Sequence, residues 1–241
     1  MPKCSHPAQF GPTIQRLTKL QMASKGIGCD LDGDGKTDNA LASALAAFLS
    51  QINASWDKAV LDGSFVMLLE ALALPADGQN FTLRLLLGRP VPSAACAMDL
   101  QLPACQFTVE ARAYNLGKAG TACTPVNALS DCKVAGSQLL CSDKLATVPL
   151  TLPVAGLPCW QLALVVSHAQ LQATVGAQPP LSLSKGLLCG VVPASAFGGT
   201  LVGTLLKPDV DVDGDGLKES ASVAFVWDSV PAQIAGMTPP P

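Results

Sequence analysis

The chain has 241 residues, is 49% hydrophobic and 14% charged, and carries a formal net charge of −3. That composition excludes a disordered chain, and the lack of any basic run or basic–aromatic interleaving excludes nucleic acid as a partner. With 21 Gly and 19 Pro, turns and short strands are favoured over long helices.

In chain order, residues 1–28 read as an irregular lead with a short helical piece near Thr13–Met22. An acidic loop follows, Asp30-Leu31-Asp32-Gly33-Asp34-Gly35-Lys36-Thr37-Asp38. After it, Leu41, Leu45, Phe48, Leu49 and Ile52 recur at helical spacing, and Asp38 is placed to open that helix. A second helical piece is expected at Ser55–Leu61 around Trp56. Strands are expected at Ser64–Leu74 and Asn80–Gly88, joined by the turn Pro75-Ala76-Asp77-Gly78. Residues 89–105 read as a pinned loop, Gln106–Tyr114 as a strand, and 115–143 as a cysteine-bearing loop. Leu145–Leu152 and Trp160–Val175 form an expected antiparallel pair around Pro153-Val154-Ala155-Gly156. Leu181–Leu183 leads into the apolar run Leu187–Val192. A helix is read over Pro193–Leu206, against the preference of Gly198, Gly199 and Gly203. A second acidic loop, Asp211-Val212-Asp213-Gly214-Asp215-Gly216-Leu217-Lys218-Glu219, precedes a strand at Ser220–Trp227. Val230–Ile234 is its continuation or partner, and 237–241 a frayed tail.

No Gly/Ser or charged linker divides the chain. Residues 29–236 are therefore read as one calcium-stabilised domain. The expected fold is mainly β, an antiparallel β-sandwich-like domain with a few short helices. No apolar run reaches the roughly 18 residues of a membrane span; the richest, Leu157–Val175, is broken by Gln161, His168, Gln170 and Gln172.

The two loops are the sharp chemical signal. Carboxylates fall at the first, third, fifth and ninth places of both: Asp30, Asp32, Asp34 and Asp38, then Asp211, Asp213, Asp215 and Glu219. With Asp209 they make nine of the 18 acidic residues. Alternate carboxylates on a tight turn suit a hard cation with many oxygen ligands, above all calcium. Gly33, Gly35, Gly214 and Gly216 permit the turn, and the carbonyls of Lys36 and Leu217 would add a backbone ligand to each of two calcium sites. The twelfth place holds Leu41 or Ser222, where an EF-hand needs a bidentate Glu.

Nine cysteines without a CxxC pair point to disulfides in an exported protein, not to zinc or redox motifs. The candidates are Cys29, Cys96, Cys105, Cys123, Cys132, Cys141, Cys159 and Cys189. Cys96 with Cys105 is an easy local pair; the recurring nine-residue spacing itself reads as coincidence. Nine is odd, so one thiol is left over. Cys4 is either that thiol, as a lipid attachment site, or the partner of Cys29. Asn53-Ala54-Ser55 and Asn80-Phe81-Thr82 fit the N-glycosylation pattern.

The acidic loops resemble the calcium loops of FG-GAP, dockerin and thrombospondin type 3 repeats. With its flanks, Cys29 to Leu41 is similar to the opening of a group of exported, often lipid-anchored proteins of myxobacterial type. Asp62-Gly63-Ser64, Phe81-Thr82-Leu83-Arg84-Leu85, Leu187 to Pro193, Leu205-Leu206-Lys207-Pro208-Asp209, and Ser222-Val223-Ala224-Phe225 to Val230-Pro231-Ala232 extend that resemblance in order. It implies export and calcium, at the cell surface, in the periplasm or outside the cell, and lends no catalytic residues.

Catalytic signatures are missing: no GxSxG, HExxH or P-loop occurs. His6 reads as an exposed spectator and His168 as a structural histidine on the strand face of Leu164 and Val166. The chain is therefore expected to be a non-enzyme, a structural or ligand-binding protein with calcium as a clamp. An apolar-ligand carrier and a self-assembling cell-surface subunit, with a second copy or a surface partner, are the alternatives.

Overall fold

Apolar residues at alternate positions give this chain its architecture, because each strand then has one face to bury. The structure, a computed structural model, describes residues 10–11, 13–71, 79–102, 104–115, 123–153, 161–176 and 182–238. The strands are β1 Thr13–Met22, β2 Val66–Ala71, β3 Asn80–Pro90, β4 Gln106–Val109, β5 Tyr114–Asn115, β6 Thr124–Pro125, β7 Ala128–Ala135, β8 Gln138–Pro153, β9 Gln161–Val175, β10 Leu183–Pro193, β11 Ser220–Pro231 and β12 Gln233–Met237. The helices are α1 Ala40–Ala44, α2 Leu49–Asp62, α3 Ala94–Met98 and α4 Leu201–Leu205.

The main sheet runs β12-β4-β3-β2-β1-β11-β10-β9-β8-β7, and β7 pairs back onto β3. Eight strands, β3-β2-β1-β11-β10-β9-β8-β7, thus close into a barrel. This corrects the expected β-sandwich. Both architectures show the same in–out alternation; what separates them is a single pairing. Asn80, Phe81, Leu83 and Arg84 meet Lys133, Cys132, Leu129 and Ala128. β3 is long enough to close the barrel with its first half and to hold β4 through Gly88, Arg89 and Pro90 with its second.

Two expected elements change identity. Thr13–Met22 is not helical: it is β1, hydrogen-bonded to β2 and β11 on its two sides. Residues 128–143, read as loop, form β7 and the start of β8. The two helical pieces after the first acidic loop merge in part: α2 runs unbroken through Ser55 and buries Ile52, Trp56, Ala59 and Val60. Pro193–Leu206 is a 3₁₀ turn at Ala194–Phe197 and the short α4. Gly198 and Gly199 separate them, Gly199 at φ 75°. The turns expected at 75–78 and 153–156 lie outside the described residues, apart from Pro153 at the end of β8.

The barrel is filled. Leu20, Met22, Val148, Val166, Val223 and Phe225 belong to one buried cluster that also takes in Leu41 and Trp56 from the helices. Trp56 lies 5.9 Å from the Phe225 ring. α2 packs on β1 and reaches β8, on the far side of the closed sheet, so it lies across one end of the barrel. Asn53 fixes it there: its amide donates to the Met22 carbonyl at 3.0 Å and its Oδ1 accepts from the Met22 N–H at 2.9 Å. Both polar ends of that half-buried amide are engaged, so Asn53 does not present a glycan acceptor. A second cluster, with Val66, Leu68, Leu86, Phe107 and Tyr114, covers the outer face of β2 and β3. Arg16 is buried there, donating to the Val60 carbonyl at 2.6 Å with its guanidinium 5.5 Å from the Phe107 ring centroid. Burial pushes its pKa down.

Gly186 stands opposite Trp227 across β10–β11, and a Cβ there would fall 2.0 Å from the indole. Because Trp227 is buried in the main core, it has little room to retreat. Gly186→Ala is expected to lower stability by about 1–3 kcal/mol, read as a lower urea midpoint. An unchanged midpoint would show that the indole is free to move.

Candidate metal centre

The two acidic loops fold alike because each closes the same set of short hydrogen bonds. The first carboxylate takes two backbone donors: Gly33 and Gly35 N–H donate to Asp30 at 2.7 and 2.9 Å, and Gly214 and Gly216 N–H to Asp211 at 2.7 and 2.8 Å. The third accepts from the fifth residue, Asp34 to Asp32 at 3.1 Å and Asp215 to Asp213 at 3.2 Å. Lys36 and Leu217 N–H donate to Asp34 and Asp215, each at 2.8 Å. The ninth residue reaches back to the second: Leu31 N–H donates to Asp38 at 2.8 Å and Val212 N–H to Glu219 at 3.0 Å. Gly33, Gly35, Gly214 and Gly216 all have φ between 78° and 92°, a region where a side chain is strained.

Each neck is pinned. Cys29 bridges Asp38 and Val210 bridges Ser220 as isolated antiparallel pairs. A Cβ on Gly28 would lie 2.2 Å from the Asp38 carbonyl, so only glycine passes there. Asp38 does not open the following helix, as expected of it. Its carboxylate is committed to the loop, and Asn39 caps α1 instead, with its amide donating to the Ala23 and Ile27 carbonyls at 3.1 and 3.0 Å.

Carboxylates converge in both loops. Asp211, Asp213, Asp215 and Glu219 bring oxygens within 4.8 Å of one another, and so do Asp30, Asp32 and Asp38. These two clusters can hold metal ions. Asp34 stands apart: it is turned to the Lys36 ammonium at 2.8 Å, and that hydrogen bond holds its pKa below the usual carboxylate range. Asp211 is held low by the Gly216 N–H first of all. Asp38 is pushed up by its partial burial, with repulsion from Asp32, Asp209 and Asp34 adding to it.

The fold sets the loops side by side. Lys218, in the second, donates to Asp32 of the first at 3.4 Å and to the Asp209 carbonyl at 2.7 Å. Ser222 links the two from below: its hydroxyl accepts from Ala40 N–H at 2.7 Å and donates to Asp209, which also accepts the Ser222 N–H at 2.8 Å. Lys218 and Ser222 were not read as site residues, because nothing in their local sequence shows that they would meet Asp32 and Ala40, 186 and 182 positions away; Asn39 was passed over because Asp38 was read as the cap.

Between the loops and the barrel wall lies a cleft of about 240 Å³, lined by Leu31 and Asp32, by Val210, Asp211 and Val212, and by Ser142, His168, Gln170 and Val191. His168 was expected on the face of Leu164 and Val166. A bulge moves it: Cys189 pairs with Gln170 but Val191 with Ser167, so two β9 residues oppose Gly190. His168 takes φ 52°, the core alternation resumes at Ala169, and the imidazole turns toward the cleft with Nδ1 buried and unpartnered among the described residues. A Cβ on Gly190 would come within 2.4 Å of Val166.

Three disulfides are described: Cys29–Cys189, Cys96–Cys105 and Cys132–Cys141. Cys123 is disulfide-bonded as well; Cys4 and Cys159 lie outside the described residues. Cys29 is thus held by β10, which excludes the Cys4–Cys29 pairing. The nine-residue spacing is not coincidence in two cases: Cys96 and Cys105 clasp the turn carrying α3, and Cys132 faces Cys141 across the β7–β8 hairpin. Such bonds persist in an oxidising compartment, extracellular or periplasmic. No described helix is long and apolar enough to cross a membrane.

The chain matches no protein-family model, no curated protein and no solved structure. Its residues and geometry therefore carry the functional reading alone. Of the nine cysteines, the seven among the described residues are all bonded. Because bonded cysteines come in pairs, thiol titration of the unreduced, denatured chain is expected to find one reactive thiol, and nine would contradict the disulfide framework.

Proposed function

We propose that this chain is a calcium-binding, disulfide-containing extracellular structural protein, with calcium clamping the corner where its two acidic loops meet. One observation carries the reading: two matched loops, each with a converging carboxylate cluster, lie side by side on one closed barrel. The donors are all hard oxygens, with no imidazole or thiolate in either cluster. That set suits calcium, magnesium or manganese and not zinc or copper. Irregular loops with three or four carboxylates favour calcium over magnesium, which demands near-ideal octahedral geometry and keeps its waters. Asp30, Asp32 and Asp38 would hold one ion, and Asp211, Asp213, Asp215 and Glu219 the other. A compartment that preserves disulfides is also one rich in calcium, and the resemblance to exported, lipid-anchored proteins agrees with such a location.

The clamp follows from linkage. An ion that binds the folded loops and not the unfolded chain stabilises the fold, by about 2.7 kcal/mol per site at a hundredfold excess over Kd. Among the described residues, the apolar cavity at Phe81, Leu139 and Leu183 is about 10 Å³, no more than a water molecule needs, so it does not favour an apolar-ligand carrier.

Calcium is expected to raise the melting temperature by several degrees per site, and chelator to reverse the rise. Asp32→Ala and Asp213→Ala should each remove part of it. Identical melting curves in calcium and in chelator would refute the clamp.

A further inference from the structure

The two loops share a backbone but not an electrostatic setting. In the second, four carboxylates converge, and among the described residues no lysine or arginine forms an ion pair with any of them. In the first, three converge, and two lysines already occupy its carboxylates. Lys36 holds Asp34 away from the cluster, and Lys218 reaches across from the other loop to Asp32, a member of the cluster.

We infer that the loops load in a fixed order, residues 211–219 first and 30–38 second, with Lys218 setting the affinity of the second step. The inference rests on the calcium reading above and deepens it. Affinity in such loops follows the number of charged ligands and the rigidity of the site. The second loop meets an ion with four carboxylates already gathered. The first meets it with three, and its filling must draw Asp32 away from the Lys218 ammonium. Lys218 keeps a partner when released, because it also donates to the Asp209 carbonyl. The lysine thus acts as an internal competitor for the first site, carried on the backbone of the second. Both lysine–aspartate pairs are solvent-accessible and each is weak, so the competition shifts affinity several-fold without abolishing binding.

Calorimetric titration of the chelator-stripped, disulfide-bonded chain with calcium chloride tests this. Two steps are expected, at least about tenfold apart in Kd. Asp213→Ala should remove the tight step and Asp32→Ala the weak one. Lys218→Met should strengthen the weak step roughly two- to fivefold, as loss of one exposed ion pair allows, and leave the tight step in place. Lys218 is exposed, so this variant does not put the fold at risk. A single class of equal sites, a weak step that survives Asp32→Ala, or a weak step unmoved by Lys218→Met would overturn the order while leaving calcium binding intact. No binding in any variant or in the parent chain would overturn the calcium reading together with the order.

Discussion

Negative charge gathered at one corner is the constraint on which this structure turns. Asp30, Asp32, Asp34, Asp38, Asp209, Asp211, Asp213, Asp215 and Glu219 supply half of the chain's 18 acidic groups. Folding brings them to adjoining turns, with Lys36 and Lys218 as local counter-charges. Two like charges 4 Å apart repel by about 1 kcal/mol in bulk water and about 4 kcal/mol at a protein surface. Backbone N–H donors from the loop glycines relieve part of this, as the low pKa of Asp211 reflects. They do not relieve Asp38, which burial and three neighbouring carboxylates push the other way. A divalent cation answers the remaining repulsion directly, whereas a larger hydrophobic core would not.

Strand order makes this corner. β11 lies between β1 and β10, so the chain leaving β1 and the chain entering β11 emerge close together. Ala23 N–H donates to the Ala224 carbonyl at 2.9 Å, just past the end of β1. Cys29 then bonds Cys189 of β10, and Ala23, Cys29, Cys189 and Ala224 form their own buried cluster, with Leu31 packed against it. The first loop is thus fastened to the barrel wall before its first carboxylate. The second is fastened by continuing into β11. The loops occupy opposite ends of the sequence, yet three neighbouring strands place them in contact.

What could be read from the sequence was local. Both loops, their glycines and the spacing of their carboxylates were legible because a tight turn is specified by adjacent residues, although Asp34 does not join the cluster its spacing suggested. The Cys96–Cys105 pair was legible for the same reason. The helical spacing of Leu41, Leu45 and Ile52 was legible too, although Asn39 and not Asp38 caps the first helix. Non-local features escaped. β1 reads as a short helix in isolation, since Leu17 and Leu20 suit either element, and only its two partner strands decide. Barrel and sandwich share their alternation, so the β3–β7 pairing could not be foreseen. His168 was misplaced by one bulge, because one inserted residue reverses every later side chain. Lys218 looked like a spacer in its own loop, since its partner Asp32 lies 186 residues away.

The corner is tied by a disulfide and, on the proposed reading, by bound ions, and the two ties act on different states. Cys29–Cys189 closes a segment of 160 residues, and such a link restricts the unfolded chain whatever the solvent contains. Ions bound at the loops would act only on the folded state, and their effect would vary with their concentration. With the disulfide in place, ions are not needed to bring β1 and β10 together. Their remaining task would be to cancel repulsion between turns that are already adjacent. The barrel core is built from Trp56, Phe225, Val223 and their buried neighbours and contains none of these carboxylates. On the proposed reading, an ion at these loops would therefore govern how firmly the corner is held more than whether the barrel forms, and it would act beside the cleft edged by Asp32, Asp211 and His168.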